Sequence, residues 1–232
     1  MEGKPYALLI GSVMYAQVCT RLDLAFAIGM LSRNQSNPGI IHWNAGKRLL
    51  RYLKKTRDYM LTYRRVDNLE LVGYSDSDLG RDKDEGKSTS GFIFMLAGGA
   101  ISWRSIKQKA ICTSTMQAEF AALHEATVHG IWLKNFISQT HLVDSIERPI
   151  TIYCDNTSAV FFAKNNKRSS SSKQIPLKQL FVRQKTRSEE IVVPYIETAN
   201  MLADPLTKAL ANKDFIRHTF NMGLVASFNL IE

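Results

Sequence analysis

The spacing of apolar residues predicts a helical front part in the first 66 residues. Apolar side chains recur at helical spacing through residues 6–31, which predicts one long helix. A second helix is predicted over residues 38–56, because Asn37 can act as its N-cap and Pro38 suits the first helical position. Its apolar stripe is expected to contain Trp43, Gly46, Leu50 and Leu53. We therefore expect a helical pair in residues 1–66, followed by a domain boundary.

The period changes from residue 69 onward, where short β-rich runs alternate with helical segments. The dipeptide Gly98-Gly99 predicts a two-residue hairpin turn, and Ser114 with Gln117 resembles a capping box at the head of the longest helix. Strands are predicted at residues 69–77, 91–96, 100–105, 150–155 and 191–196, and helices at residues 114–138, 157–164, 173–186 and within 200–222. The order β-β-β-α-β-α-(α)-β-α predicts an α/β fold for residues 67–232, with a mixed sheet and helices on both of its faces.

The composition of the 232 residues is that of an ordinary globular protein. Hydrophobic residues make up 45% of the chain and charged residues 22%, which excludes a wholly disordered or fibrous protein. No apolar run approaches the roughly 20 residues that a membrane-spanning helix needs, and the first residues do not resemble a signal peptide. Three widely separated cysteines (Cys19, Cys112 and Cys154) favour buried thiols over disulfides or a zinc site. These features predict an intracellular protein of the cytoplasm or nucleus.

Basic residues are in excess, with 30 Lys and Arg against 21 Asp and Glu, which gives a net charge of +9. Such an excess favours a polyanionic partner. The basic residues are concentrated in residues 47–65 and 164–187, which contain eight each. Within the predicted second helix they form a stripe of their own: Lys47, Arg51, Lys54 and Lys55. This stripe is either a solvated face or a surface that binds nucleic-acid phosphates, and the presence of two basic segments favours the second interpretation.

Four acidic residues stand where a folded chain could gather them. Asp76 and Asp155 end predicted strands, Glu119 lies near the start of the longest predicted helix, and Asp204 precedes Pro205. Each also has an ordinary explanation, as a loop residue, a helix cap or an acid in the first turn of a helix. If they are gathered, their mutual repulsion requires a cation, and carboxylate oxygens suit Mg²⁺ or Mn²⁺. A basic chain with such a cluster suggests phosphodiester hydrolysis assisted by two metal ions.

Two groups of short motifs carry a family resemblance. The second part of the chain contains Tyr74-Ser75-Asp76-Ser77-Asp78, Lys87-Ser88-Thr89-Ser90-Gly91-Phe92, Ala118-Glu119-Phe120, Tyr153-Cys154-Asp155-Asn156 and Ala203-Asp204-Pro205-Leu206-Thr207-Lys208. In this order they resemble the ribonuclease H domain of copia-type retrotransposon Pol polyproteins. Residues 6–63 resemble the connection segment at the end of the reverse transcriptase region, through residues 10–15, 19–21, 31–33, 37–39 and 51–54.

The resemblance implies an RNase H-like fold with a five-stranded mixed sheet. It also implies a metal-dependent endonuclease, a hydrolase that cleaves the RNA strand of RNA–DNA hybrids in reverse transcription. Asp76, Glu119, Asp155 and Asp204 would be its catalytic and metal-binding residues, with Asp76 shared by two Mg²⁺ or Mn²⁺ ions and Asp204 holding the second ion more loosely. A-form geometry and the 2′-hydroxyl would select the RNA strand. The implied partners are the hybrid and the reverse transcriptase part of the same polyprotein, and no membrane.

Departures from the family pattern keep alternatives open. Where the family usually has Lys-His-Ile-Asp and a second His, this chain has Lys173-Gln174-Ile175-Pro176 and Gln179. The second interpretation is therefore a degenerate genomic copy that binds nucleic acid without cleaving it. The third is a DDE-type recombinase of the same fold, in which the helical acid would be the last of the set, whereas here Glu119 is the second. The chain contains no Tyr-x-Asp-Asp motif, so we expect no polymerase activity from it.

Overall fold

The computed structural model describes residues 3–80, 85–141, 143–165 and 176–226. The α-helices in these ranges are α1 (Tyr6–Cys19), α2 (Ala25–Ser32), α3 (Ile40–Lys55), α4 (Thr115–Ser138), α5 (Thr157–Lys164), α6 (Pro176–Arg187) and α7 (Asn212–Asn221). The strands are β1 (Met60–Leu61), β2 (Val72–Asp78), β3 (Thr89–Leu96), β4 (Gly99–Lys107), β5 (Ile150–Cys154), β6 (Ile191–Val192) and β7 (Leu224–Val225). Short 3₁₀ helices cover Leu22–Leu24, Asp144–Glu147, Thr198–Asn200 and Asp204–Leu206.

Five of the strands form one mixed sheet in the order β4-β3-β2-β5-β6. Strand β3 is antiparallel to both β4 and β2, while β5 runs parallel to both β2 and β6. Strands β1 and β7 form a separate antiparallel pair that links residue 60 to residue 225. Between β2 and α7 the elements of the main sheet and its helices follow the predicted order, which confirms the α/β fold class with a five-stranded mixed sheet.

Both faces of this sheet are covered by other elements. The side chains of β3 alternate between the two faces and therefore enter two different cores. Phe92 and Phe94 belong to a core that contains the buried face of α4, for example Leu123. Ile93 and its neighbours on the opposite face pack with Leu22 and Ala25 from the front part of the chain and with apolar residues of the segment around residue 204. Elements therefore lie on both faces of the sheet, as predicted, and the front part covers one of them.

The front part contains three α-helices where a pair was predicted. The chain leaves the helix after Cys19 and passes through the 3₁₀ helix Leu22–Leu24 into α2. At the break, the buried Arg21 guanidinium donates to both carboxylate oxygens of Asp23, at 2.7 and 3.0 Å, and also to Thr56 at the end of α3. In a continuous helix, residues two positions apart do not face each other. The ion pair between Arg21 and Asp23 therefore requires the break that the apolar spacing did not reveal.

Helix α3 starts two residues later than predicted, at Ile40, and its N-cap is Gly39 instead of Asn37. The backbone N–H of Gly39 donates to Nδ1 of His42 at 2.8 Å, so an imidazole closes the helix end. The prediction that Leu50 belongs to the buried stripe is wrong: Leu50 is 43% exposed, whereas Leu49 is 8% exposed. The prediction holds for Gly46, which is buried, and for Leu53, which packs against the same core as Leu49.

The hairpin between β3 and β4 turns at Ala97 and Gly98, one residue earlier than predicted. Both residues have positive φ angles, 54° and 73°, as a two-residue turn of type I′ requires. Strand β6 stops at Val192 and does not extend to residue 196, because only an isolated bridge between Cys154 and Tyr195 continues the pairing.

Some predictions concern residues outside the described ranges. Gln174 and three of the basic residues predicted in the second segment, Lys167, Arg168 and Lys173, belong to these. The same holds for the side chains of Pro176 and Gln179. Of the cysteines, Cys154 is buried, Cys112 is half-buried and Cys19 is exposed, so burial was correctly expected for Cys154 alone.

Candidate metal centre

The register of two parallel strands brings Asp76 and Asp155 together. Ser75 on β2 lies opposite Cys154, the last residue of β5, so Asp76 and Asp155 are the next residues on two adjacent parallel strands. Asp204 joins them from the 3₁₀ helix Asp204–Leu206. Asp76, Asp155 and Asp204 each contribute a carboxylate oxygen, and these three oxygens lie within 4.8 Å of one another. The structure therefore gathers three of the four predicted acidic residues into one group.

Glu119 lies beside this group, on the first turns of α4. Ser114 caps the helix as predicted, because its side chain accepts a hydrogen bond from the backbone N–H of Gln117. Glu119 is 3% exposed, and its Oε1 accepts a hydrogen bond of 3.2 Å from the backbone N–H of Ser77, the residue after Asp76. Its other oxygen, Oε2, is buried and accepts no hydrogen bond among the described residues. A buried carboxylate oxygen without a hydrogen-bond donor is costly, and a bound metal ion would satisfy it.

The ordinary explanations of the acidic residues do not account for Asp155 and Asp204. The cap of α5 is Asn156, whose side chain accepts a hydrogen bond of 2.9 Å from the backbone N–H of Ala159. Asp155 instead accepts a hydrogen bond of 2.8 Å from the hydroxyl of Thr198. Asp204 makes no side-chain capping bond either, since the residue at the cap of its 3₁₀ helix is Ala203. Both carboxylates are directed to the centre and not to a helix end.

The segment that follows Asp204 packs tightly against the strand that carries Asp76. The Thr207 hydroxyl donates a hydrogen bond to Oδ2 of Asp76, and Thr207 is fully buried. Gly91 lies opposite Asp76 in the ladder of β2 and β3. A Cβ atom at Gly91 would approach Thr207 Cγ2 to 2.6 Å and Leu206 Cβ to 2.9 Å. The absence of a side chain at this position is therefore what allows residues 204–207 to reach Asp76.

Burial and mutual repulsion alter the acidity of the centre. Burial raises the pKa of Asp76 to about 8, with Lys208 acting in the opposite direction and Asp204 adding to the rise. The pKa of Glu119 is likewise raised, first by burial and then by the charges of Asp76 and Asp155. Burial also raises the pKa of Asp204, against the effect of Lys208. A divalent cation would bind such buried, mutually repelling carboxylates favourably, because it compensates the negative charges that burial and repulsion disfavour.

Three residues important to this arrangement were not predicted from the sequence. Thr207 and Lys208 lie in the motif of residues 203–208, but only the tertiary structure shows that both side chains contact the acidic group. Gly91 lies in another quoted motif, and its role depends on a contact with residues more than a hundred positions away. For Lys208, the sequence offers one signal: it follows Asp204 by four positions, which is the spacing of an ion pair on a helix.

The four predicted nucleic-acid-binding residues share the outer face of α3. Lys47, Arg51, Lys54 and Lys55 are all exposed. The opposite side of α3, through Leu49 and Tyr52, lines a cleft of about 390 Å³ together with Lys208 and Phe215. Helix α3 is thus a neighbour of the acidic centre, although its basic side chains are not part of the centre. Within the described ranges, no helix combines the length and apolar character needed to cross a bilayer.

The sequence is similar to known proteins over most of its length, although no family model matches it. The chain is 39% identical over 215 residues to the retrovirus-related Pol polyprotein from transposon TNT 1-94 of Nicotiana tabacum, which covers 93% of this chain and 16% of that protein. It is 34% identical to the Pol polyprotein from transposon RE2 of Arabidopsis thaliana, over 95% of this chain and 15% of that protein. The chain therefore spans about one sixth of the length of these Pol polyproteins.

A further relative is much shorter. The secreted RxLR effector protein 161 of Plasmopara viticola is 47% identical over 133 residues, which cover 57% of this chain and 94% of that protein.

The structure was also compared with solved structures, which match it at low sequence identity. The foamy viral protease-reverse transcriptase in complex with dsDNA superposes on 83% of this chain and 38% of that protein, with a TM-score of 0.54 and 12% sequence identity. LC11-RNase H1 in complex with an RNA/DNA hybrid matches 60% of this chain and 94% of that protein, with a TM-score of 0.42 and 16% identity.

Proposed function

Because the chain belongs to the retrovirus-related Pol polyproteins of transposons and has an RNase H-like fold, we propose that it cleaves the RNA strand of RNA–DNA hybrids during reverse transcription. The observation that carries this proposal is the gathering of Asp76, Asp155 and Asp204, whose oxygens lie within 4.8 Å of one another. A buried group of carboxylates in a chain of net charge +9 suits the hydrolysis of a polyanion, because the surface attracts the substrate and the centre attracts metal ions.

The donor set fits Mg²⁺ or Mn²⁺, since it consists of carboxylate oxygens alone. We propose that two ions bind, and that Asp76, Glu119, Asp155 and Asp204 would hold them. When bound, such ions supply an activated water and stabilise the leaving oxygen. The chain's own contribution is to hold the carboxylates in place, through the hydrogen bonds from Ser77 to Glu119, from Thr198 to Asp155 and from Thr207 to Asp76.

The outer face of α3 is proposed to hold the hybrid. Its four basic side chains are exposed, and its inner side borders the same cleft as Lys208 of the centre. Contacts of Lys and Arg with phosphates position a duplex without reading its sequence, which suits an enzyme that acts on hybrids of any sequence. We also propose that residues 1–66 connect this domain to the reverse transcriptase part of a longer polyprotein, which would be the second partner.

The test of this proposal is cleavage of a hybrid with separately labelled RNA and DNA strands. We expect the RNA strand to be cut with Mg²⁺ or Mn²⁺ and the DNA strand to stay intact. Ca²⁺ should support binding of the hybrid but not its cleavage, because it takes 6–8 ligands at longer distances. Cleavage that persists in excess chelator would refute the metal-dependent mechanism.

The same experiment separates the nuclease from the alternative of a catalytically silent binding fragment. Variants should include Asp155→Asn in the centre and Asp67→Asn, an exposed aspartate, as the matched control. For the nuclease, the first variant loses cleavage and the second retains it. A parent protein that binds the hybrid with Mg²⁺ present and cleaves neither strand would support the silent fragment.

A further inference from the structure

Lys208 places an ammonium group inside the acidic centre. Its Nζ lies 2.8 Å from Oδ1 of Asp204 and 3.6 Å from Oδ2 of Asp76. The side chains of these two aspartates are 6% and 1% exposed, and that of Lys208 is 22% exposed. The lysine therefore lies within ion-pairing distance of two carboxylates that are largely shielded from water.

The backbone fixes Lys208 in this position. Its N–H donates to the carbonyl oxygen of Asp204 at 3.1 Å, which closes one turn between the two residues. The preceding residue, Thr207, is held by its hydrogen bond to Asp76. Lys208 also lines the cleft that Tyr52 and Phe215 border. The backbone of residues 204–208 therefore holds the base of the Lys208 side chain beside the two carboxylates.

The charge of Lys208 compensates part of the repulsion within the carboxylate group. A lysine amine is ordinarily charged at neutral pH, and the Nζ of Lys208 lies within ion-pairing distance of Asp76 and Asp204. A divalent cation bound by Asp76 and Asp204 would lie within a few ångströms of this ammonium, where like charges repel strongly. The lysine and such a cation therefore compete for the same two carboxylates.

We propose that Lys208 is an internal counter-ion that keeps the centre folded without metal and lowers its affinity for the metal bound by Asp76 and Asp204. This inference rests on the proposed function, because it assumes that these carboxylates bind a divalent cation. Lys208 acts through the two aspartates and is thus a positioning residue. The lysine would set the metal concentration at which the centre is loaded.

Binding of Mn²⁺ alone to the full chain, followed by electron paramagnetic resonance or calorimetry, tests the competition. Lys208→Met removes the charge and keeps a side chain of similar length, so we expect a Kd for Mn²⁺ that is lower by about tenfold. Lys208→Arg keeps the charge and should bind Mn²⁺ as the parent does. Lys213→Met changes an exposed lysine on α7 and serves as the control. An unchanged or weaker affinity for Mn²⁺ in Lys208→Met would overturn the proposal.

Thermal unfolding gives a second readout that does not depend on activity. Without metal, Lys208→Met should unfold at a lower temperature than the parent, and saturating Mg²⁺ should raise its Tm by more than it raises that of the parent. If Lys208→Met does not fold without metal, the proposal requires that Mg²⁺ restore its folding. A variant that stays unfolded at saturating Mg²⁺, or one with the parent's Tm in both conditions, would contradict it.

The two proposals fail in different ways. If the parent binds no Mn²⁺ and cleaves no hybrid, the proposed function is wrong and the counter-ion has nothing to compete with. If the parent binds Mn²⁺ and cleaves the hybrid, but Lys208→Met has the same Kd and the same Tm, only the role of Lys208 is wrong.

Discussion

The hydroxyl of Thr207 donates a hydrogen bond to the carboxylate of Asp76, although the two residues are 131 positions apart in the chain. This bond joins the segment after Asp204 to the central strand of the sheet. Because the carboxylate of Asp76 accepts this bond, the bond favours its charged form and lowers its pKa, whereas burial raises that pKa. The contact depends on the small size of Gly91, which lies across from Asp76.

Gly91→Ala should therefore damage the centre without touching a carboxylate. The added Cβ would lie 2.6 Å from Thr207 Cγ2, so residues 204–207 must move away from β3. We expect a loss of about 1–3 kcal/mol in the free energy of unfolding, as is typical of overpacking, and a weaker affinity for Mn²⁺. Denaturant unfolding and Mn²⁺ titration measure the two effects.

Gly11→Ala is the matched control for this substitution. Gly11 lies on α1, and a Cβ there meets no atom within 4 Å. Alanine is a better helix former than glycine, so this variant should be equally or more stable than the parent and bind Mn²⁺ unchanged. If Gly91→Ala behaves like Gly11→Ala in both measurements, the close packing against β3 does not support the centre.

The stability of the metal-free protein should depend on pH through Asp76. The pKa of an aspartate in the unfolded chain is about 3.9, and burial raises that of Asp76 to about 8 in the folded state. As the pH rises from about 4 to about 8, the unfolded state releases this proton while the folded state retains it, so stability falls across that window. Asp76→Asn has no such proton, and its Tm relative to the parent should rise with pH over the same range.

Saturating Mg²⁺ should instead raise the Tm of the parent above that of Asp76→Asn. The ion stabilises the charged carboxylates of the parent and binds the variant less well. Thermal unfolding at several pH values, with chelator and with Mg²⁺, measures both effects. A difference in Tm between Asp76→Asn and the parent that stays constant between pH 5 and pH 8 would mean that Asp76 is charged in the metal-free fold throughout.

The basic face of α3 should contribute to hybrid affinity without reading sequence. Replacing Lys47, Arg51 and Lys54 with Gln should weaken binding to all duplexes alike and reduce the slope of log affinity against log salt by about 0.7–0.9 for each lost contact. Stability should barely change, because all three side chains are exposed. Hybrid affinity at several salt concentrations measures the effect.

A charge-matched triple variant tests whether the effect belongs to this face. Lys4, Arg148 and Lys213 are also exposed, and replacing them with Gln removes the same net charge outside both basic segments. An equal loss of affinity in both triple variants would point to net charge alone, and an unchanged affinity in the α3 variant would indicate a solvated or protein-facing surface.

The sequence predicted the elements whose signals are local. Helix α4 was predicted over residues 114–138, and its buried residues from Glu119 to Ile137 recur at helical spacing. The meeting of Asp76 and Asp155 follows from their positions at the ends of two strands, once these strands are known to be parallel neighbours. The sequence therefore offered Asp76 and Asp155 as candidates, and the pairing of β2 with β5 brings them together.

Features that depend on contacts between distant segments were not predictable in the same way. The break after Cys19 reflects a buried network that joins Arg21 to Thr56, and the pairing of β1 with β7 joins residues 60 and 225. The position of Lys208 depends on the 3₁₀ helix Asp204–Leu206, which packs against β3. No pattern of apolar residues predicts this packing. Such contacts override local preference because burial in the tertiary structure decides which conformation is most stable.

The most direct test of the central claim is the rate of RNA-strand cleavage by Asp76→Asn, measured with hybrid bound in excess of its Kd and with saturating Mg²⁺. Asp76 is the most deeply buried of the gathered carboxylates, and one of its oxygens lies within 4.8 Å of an oxygen of Asp155 and of Asp204. We predict hybrid affinity close to that of the parent and a cleavage rate lower by about a thousandfold or more, which corresponds to about 4 kcal/mol of lost transition-state stabilisation. Cleavage at the parental rate by a folded Asp76→Asn variant would contradict the assignment of this centre.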